Sequence, residues 1–170
     1  MKVGLLGGSF NPPHQGHLHI SNLAIKKLGL KQVWWIPTAH NPLKDKSIYE
    51  SYENRVRKCE DLTALNPKIY VKRFDEIYTE ILVKKLQARY KNIEFFWLMG
   101  ADNLEKLHLW EGFKKLVLQI PLMIFSREKT LRKIKKTKAW KFILPSKYKV
   151  FYTKNLDISS TAIRNKNKDE

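Results

Sequence analysis

The sequence predicts an α/β domain: a parallel sheet with helices on both faces. Three observations carry that reading. Short apolar runs alternate with stretches of helical spacing over residues 2–152, the pattern of repeated strand–helix–strand units. One run, Phe95-Phe96-Trp97-Leu98-Met99, is apolar at every position, as a central strand covered on both faces must be. The length of 170 residues, 43% of them apolar, suits one core, so a single domain spanning 1–170 is expected.

In chain order, Lys2 to Leu6 is a short apolar strand running into Gly7-Gly8-Ser9. Leu18, Leu23, Ala24 and Ile25 lie near helical spacing, which predicts a helix from about Gly16 to Leu28 with Gly29 at its end. Val33 to Ile36 is the second strand, stopped by Pro37, and Thr38 to Ser47 reads as a polar loop. Val56, Cys59, Leu62 and Leu65 share one side of a helix over Tyr52 to Leu65. Ile69 to Val71 is a short strand, Thr79 to Tyr90 a helix, and Ile93 to Met99 the apolar strand that ends at Gly100. Short helices follow around Leu104–Leu107 and Glu111–Leu118, then a strand at Leu122–Phe125 and a last one at Val150–Tyr152. The lysine-rich block 127–141 keeps Leu131, Ile134 and Trp140 and is expected to form an amphipathic helix.

Composition excludes several classes. Lys and Arg number 33 against 16 Asp and Glu, a net charge of +17, but 12% aromatic residues are too many for a chain that stays disordered. Cys59 is the only cysteine, so no intrachain disulfide and no cysteine-rich zinc site can form, which points to a reducing compartment. Most of the basic excess lies between Arg127 and Lys154. Lysine rather than arginine dominates it, as on a solvated face; a groove for nucleic acid would use more of arginine's planar forks. Residues 3–25 carry no Asp, Glu, Lys or Arg, yet Gly7, Gly8, Asn11, Pro12, Pro13 and three histidines interrupt the run, so no membrane span is expected and the protein is placed in the cytoplasm.

In open parallel sheets ligands bind beyond the carboxyl ends of the strands. After the first strand stands Gly7-Gly8-Ser9-Phe10-Asn11-Pro12-Pro13-His14-Gln15-Gly16-His17. Paired glycines let a backbone approach a phosphate, and the helix start near Gly16 aims unpaired N–H groups at the same place. His14 and His17, three apart, can face one ligand and donate hydrogen bonds to phosphate oxygens; a zinc pair or an ordinary loop are the alternatives. Near the C-terminus, the hydroxyls of Ser159, Ser160 and Thr161, after Ile158, precede a short helical turn with Arg164 one turn on. This is either a capped helix or a second anion pocket. Two phosphate-binding helix starts at the edges of one sheet suit a polyphosphate lying between them.

Gly8-Ser9-Phe10-Asn11-Pro12-Pro13-His14-Gln15-Gly16-His17 together with Ile158-Ser159-Ser160-Thr161-Ala162-Ile163-Arg164 resembles the nucleotidyltransferase superfamily that carries the HxGH signature. Gly100-Ala101-Asp102-Asn103-Leu104, Leu107 and Trp110 resemble its bacterial nicotinate mononucleotide adenylyltransferase family, as do Asn41-Pro42-Leu43-Lys44, Tyr78-Thr79 and Arg127. The resemblance implies a Rossmann-like fold and adenylyl transfer from ATP to nicotinate mononucleotide, with Mg²⁺ accompanying ATP. It implies catalytic roles for His14, His17 and Arg164, and ATP contacts from Gly7, Gly8, Ser9, Phe10, Gly100, Asp102, Ile158, Ser159, Ser160 and Thr161. Lys44, Thr79, Trp110 and Arg127 would meet nicotinate mononucleotide. No resident metal, nucleic acid or membrane partner is implied, and the oligomeric state, monomer or dimer, is left open. The chain departs from the family pattern Tyr-Thr-x-Asp-Thr-Leu, reading Tyr78-Thr79-Glu80-Ile81-Leu82-Val83, and has Pro42-Leu43 where many members have Pro-His. The competing readings are a phosphopantetheine adenylyltransferase, which shares the first motif, and a basic nucleic-acid-binding module, which leaves both phosphate motifs unexplained.

Overall fold

The computed structural model describes residues 1–39, 50–126 and 135–153. Six strands, β1 (Lys2–Gly8), β2 (Gln32–Pro37), β3 (Ile69–Val71), β4 (Glu94–Gly100), β5 (Leu122–Ser126) and β6 (Tyr148–Tyr152), form one sheet in the order β3-β2-β1-β4-β5-β6. Every neighbouring pair is parallel. The helices between them are α1 (Gln15–Leu28), α2 (Tyr52–Thr63), α3 (Thr79–Arg89), α4 (Ala101–Lys106) and α5 (Phe113–Gln119).

Side chains that alternate along each strand divide the core into two layers. In β2 Trp34 and Trp35 turn to opposite faces, and in β4 Trp97 and Leu98 do the same. Trp34 and Trp97 pack with Val83 and Leu86 of α3, Leu104 of α4 and Leu116 of α5. Trp35 and Leu98 pack with Leu18 and Ala24 of α1 and Cys59 of α2. The sheet is therefore covered on both faces, in agreement with the sequence, and strands buried on both sides read as near-continuous apolar runs for that reason.

Most element ends agree with the sequence pattern, and the exceptions have physical causes. Pro37 does not stop β2 but ends it, level with Gly8 of β1. The expected helix to Leu65 closes at Thr63, whose hydroxyl donates to the Cys59 carbonyl at 2.8 Å, and Leu65 is left 94% exposed. β6 begins two residues earlier than expected, at Tyr148. The amphipathic helix expected over 127–141 is not seen in its described part. Residues 135–138 form turns and bends, and Ala139–Phe142 is a 3-10 turn that buries only Ala139. Residues 127–134 lie outside the described residues.

Strand order reverses between β1 and β4, because the chain builds outward from β1 through β2 to β3, and from β4 through β5 to β6. The β1–β4 pairing runs from Lys2–Glu94 to Leu6–Leu98. Carried on in that register, Gly8 and Gly100 end the two central strands at one level. A crevice beyond such a switch point is where ligands of open α/β sheets bind.

Candidate active site

Gly7 has no room for a side chain. A Cβ there would come within 2.6 Å of Trp97 Cη2, so the indole of β4 lies across the end of β1. Gly8 would tolerate one, its nearest neighbour being the Phe10 ring at 3.6 Å. The Gly8 carbonyl accepts from Thr38 N–H at 2.9 Å and from Thr38 Oγ1 at 3.3 Å. In a planar trans peptide the N–H opposes the C=O, so the Ser9 N–H turns away from β2, toward the β4 side. Phe10 then adopts φ +47°, a left-handed conformation that costs a non-glycine residue energy and is kept where surrounding contacts enforce it. Those contacts are visible: the ring is 1% exposed, stacks on Trp35 at 5.0 Å between centroids, and lies 4.7 Å from His17.

The turn delivers both histidines to the start of α1. His14 is the N-cap: Gly16 N–H donates to His14 Nδ1 at 3.1 Å, and His14 N–H donates to His17 Nδ1 at 3.1 Å. Two orphan donors of the helix start are thereby satisfied reciprocally, with imidazoles in the places that Ser and Glu usually fill. A nitrogen that accepts a hydrogen bond carries no proton, so each neutral ring bears its proton on Nε2. The rings lie 3.9 Å apart. Burial, aided by repulsion from His14, pushes His17 down to about 3. Burial also lowers His14, and the charge of Asp102 opposes part of that. Behind His17, its carbonyl accepts from the Ser21 hydroxyl at 2.8 Å, which in turn accepts from Trp35 Nε1 at 2.8 Å.

Across the crevice, Gly100 caps α4, and its missing Cβ is what lets the Asp102 carboxylate fold back, since a Cβ would lie 2.5 Å from Oδ1. Asp102 is exposed and close enough for its charge to act on His14, so the ends of β1 and β4 share one site. Trp110, half-buried, meets Trp97 edge-on at 6.2 Å. Thr79 opens α3, and the next residue, Glu80, packs against Gly112 and accepts from Gln119 Nε2 at 3.1 Å, tying α3 to the turn that carries Trp110.

The structure thus brings together Gly7, Gly8, Ser9, Phe10, His14, His17, Gly100 and Asp102, and links Trp110 to them through Trp97. Lys44, Arg127, Ile158, Ser159, Ser160, Thr161 and Arg164 lie outside the described residues. Among the described residues no three His, Cys, Asp or Glu side chains group as metal ligands. Cys59 is fully buried, and burial pushes its thiol up to about 12.

Sequence reasoning passed over Arg55, Asn11 and Ser21, all buried to 2% exposure or less. Arg55 offered a signal, since it stands on the same helical stripe as Val56, Cys59 and Leu62, where an arginine is out of place unless it binds something. Ser21, four residues after His17, carried none.

A family model described as Cytidylyltransferase-like matches residues 5–166. A protein of Agrobacterium fabrum named "Probable nicotinate-nucleotide adenylyltransferase" is 35% identical, over 99% of this chain and 100% of its own length. One of Rhizobium meliloti with the same name is 40% identical over 75% of this chain and 69% of its own. Among solved structures, the nicotinic acid mononucleotide adenylyltransferase of Plasmodium falciparum complexed with NaAD superposes with a TM-score of 0.78 at 20% identity. The match covers 96% of this chain and 82% of that one, a likeness of fold.

Proposed function

The chain belongs to the nicotinate-nucleotide adenylyltransferase family of Cytidylyltransferase-like proteins, and from that membership we propose how its crevice performs the family's reaction. The enzyme transfers the adenylyl group of ATP to nicotinate mononucleotide, giving nicotinate adenine dinucleotide and pyrophosphate, a step of NAD biosynthesis. The acceptor's phosphate is already ionised at neutral pH, so its oxygen attacks the α-phosphorus in line without a general base. What the protein must supply is position and hydrogen-bond donors for charge that builds on the transferring and leaving phosphates.

The observation that carries this reading is the pair of histidines held as Nε2–H donors. Two neutral imidazoles fixed by main-chain caps need no reorganisation when charge develops between them. His14 and His17 hold α- and β-phosphate oxygens, helped by Gly8, Ser9 and Phe10 of the turn. Ser160, Thr161 and Arg164 take the β- and γ-phosphates. Asp102 accepts from ribose hydroxyls. Trp110 stacks on the pyridine ring, while Lys44, Thr79 and Arg127 meet the acceptor's phosphate or carboxylate. ATP enters as its Mg²⁺ complex. Bound there, the ion would neutralise phosphate charge, and Asp102 is the carboxylate nearest to it among the site's described residues. The reaction runs in the cytoplasm, in a single domain. No helix among the described residues is long and apolar enough to cross a membrane.

The test is a pair of substitutions. In His17→Asn the amide can still accept near the Nδ1 position, but the Nε2–H is lost; His17→Gln places an N–H donor near Nε2. Loss of one preorganised donor typically lowers kcat by about 10²–10³-fold. His17→Asn should fall by that amount with its fold intact, and His17→Gln should retain more. Normal pyrophosphate release from a folded His17→Asn would remove His17 from the reaction.

A further inference from the structure

The crevice is braced by a side chain that the mechanism above does not use. Arg55 of α2 is 2% exposed. Its Nε donates to the Glu50 carbonyl at 3.2 Å, one terminal nitrogen to the Ala39 carbonyl at 3.1 Å, and the other to the Ser9 carbonyl. The Asn11 side chain joins the same knot, its Oδ1 accepting from Glu50 N–H at 3.2 Å. Ser9 follows β1, Ala39 follows β2, and Glu50 lies just before α2, so a single guanidinium holds three segments where the sheet ladder has ended. Arginine spreads its donors over three nitrogens of a planar fork, which here reach three separate carbonyls, whereas lysine's three donors all radiate from one nitrogen.

The Ser9 contact has a consequence for the site. The Ser9–Phe10 peptide is trans, so a Ser9 carbonyl turned into Arg55 turns the Phe10 N–H the opposite way. The Gly8 carbonyl is likewise taken by Thr38, which turns the Ser9 N–H outward. Between them these bonds fix the strained Phe10 turn and the three residues, Asn11, Pro12 and Pro13, that lead to the His14 cap.

We propose that Arg55 is a positioning residue for adenylyl transfer: by holding the Ser9, Ala39 and Glu50 carbonyls it sets the turn that aims the Phe10 amide and the His14 and His17 Nε2–H groups at the phosphates. This rests on the reading of the crevice as the ATP site. Misplacement of reacting groups by about 1 Å costs on the order of 10²-fold in rate. Arg55→Met, which keeps bulk and removes every donor, should lower kcat about 100-fold per folded molecule and change the KM for nicotinate mononucleotide less than threefold. Arg55→Lys should fall between Arg55→Met and the unaltered enzyme.

The second readout is the ¹⁵N spectrum of the imidazoles. In the unaltered enzyme His14 and His17 should each show one Nε2–H tautomer whose Nε2 shifts on addition of Mg-ATP; in Arg55→Met both tautomers should appear and the ATP-induced shift should shrink. Folded variants with kcat within twofold and unchanged histidine spectra overturn the proposal, whatever their melting temperatures. If Arg55→Met does not fold, Arg55→Lys decides by the same two readouts, and failure of both to fold assigns Arg55 to stability alone and also overturns it. An unaltered enzyme that binds Mg-ATP at the histidines but leaves nicotinate mononucleotide unreacted would refute the functional reading, while the spectra would still test the clamp.

Discussion

His14 and His17 each accept a main-chain N–H at Nδ1, and that bond settles which nitrogen keeps the proton. Burial settles whether a second proton binds, and holds His17 neutral down to about pH 3. Both effects give a donor that does not titrate near neutrality, unlike an unperturbed imidazole with a pKa of about 6.5. They also couple the site to stability. An unfolded His17 titrates near 6.5 and the folded one near 3, so between these pH values the unfolded chain binds more protons. Its contribution to stability is complete above about pH 6.5 and is lost progressively as pH falls toward 3. His14, also lowered, acts in the same direction. Urea unfolding at pH 7.5, 6 and 5 should show the unaltered protein losing more stability on acidification than His17→Asn, which has no imidazole at that position. Equal slopes would contradict the buried neutral state. Cys59 is buried against α1 and the sheet, and burial holds its thiol up at about 12, protonated at neutral pH.

The elements that form the crevice depend on contacts between distant parts of the chain, and this divides what the sequence reveals from what it conceals. Ile69–Val71 and the Gly29 end of α1 were legible because local rules decide them: β-branched and aromatic residues in a strand, and glycine at φ 63° closing a helix. The spacing of the first motif placed His14 and His17 at a helix start, where the structure has them; that they cap the helix through Nδ1 was not legible. Gly7 was legible only as a glycine. Its expected purpose is close approach to phosphate; the structure adds another, the clearance of Trp97, ninety residues away. Gly7→Ala should therefore act through β4: about 1–3 kcal/mol of overpacking, seen as a lower urea midpoint, and a raised KM for nicotinate mononucleotide as Trp97 moves against Trp110. A neutral Gly7→Ala would show that the indole yields freely. The stripe of α2 marks Arg55 as out of place, but its three carbonyl partners were concealed, since they come from segments that no helical periodicity connects to it. The helix read into 127–141 followed Leu131, Ile134 and Trp140, but the described part of that block is set by Ala139, buried among the side chains around α4.

At the scale of the whole molecule, a sheet order that reverses between β1 and β4 puts two glycine-ended strands side by side and leaves their loops to form one site. The net charge of +17 fits this arrangement without requiring a nucleic-acid groove. The first 44 residues, which include the turn proposed to meet polyphosphate, carry no carboxylate, while Lys135, Lys136, Lys138, Lys141 and Lys149 stand exposed in turns and on the edge strand β6. There they form a solvated basic face, of the kind whose field raises the local concentration of anions. The fold, the capped histidines and the Gly100–Trp110 segment converge on one reaction, and one measurement tests it most directly. Purified enzyme is given Mg-ATP with nicotinate mononucleotide, nicotinamide mononucleotide or phosphopantetheine in turn, and pyrophosphate release is followed to obtain kcat/KM for each acceptor. Turnover with nicotinate mononucleotide, nicotinate adenine dinucleotide as the product, and none with phosphopantetheine are expected; turnover with phosphopantetheine alone would contradict this assignment.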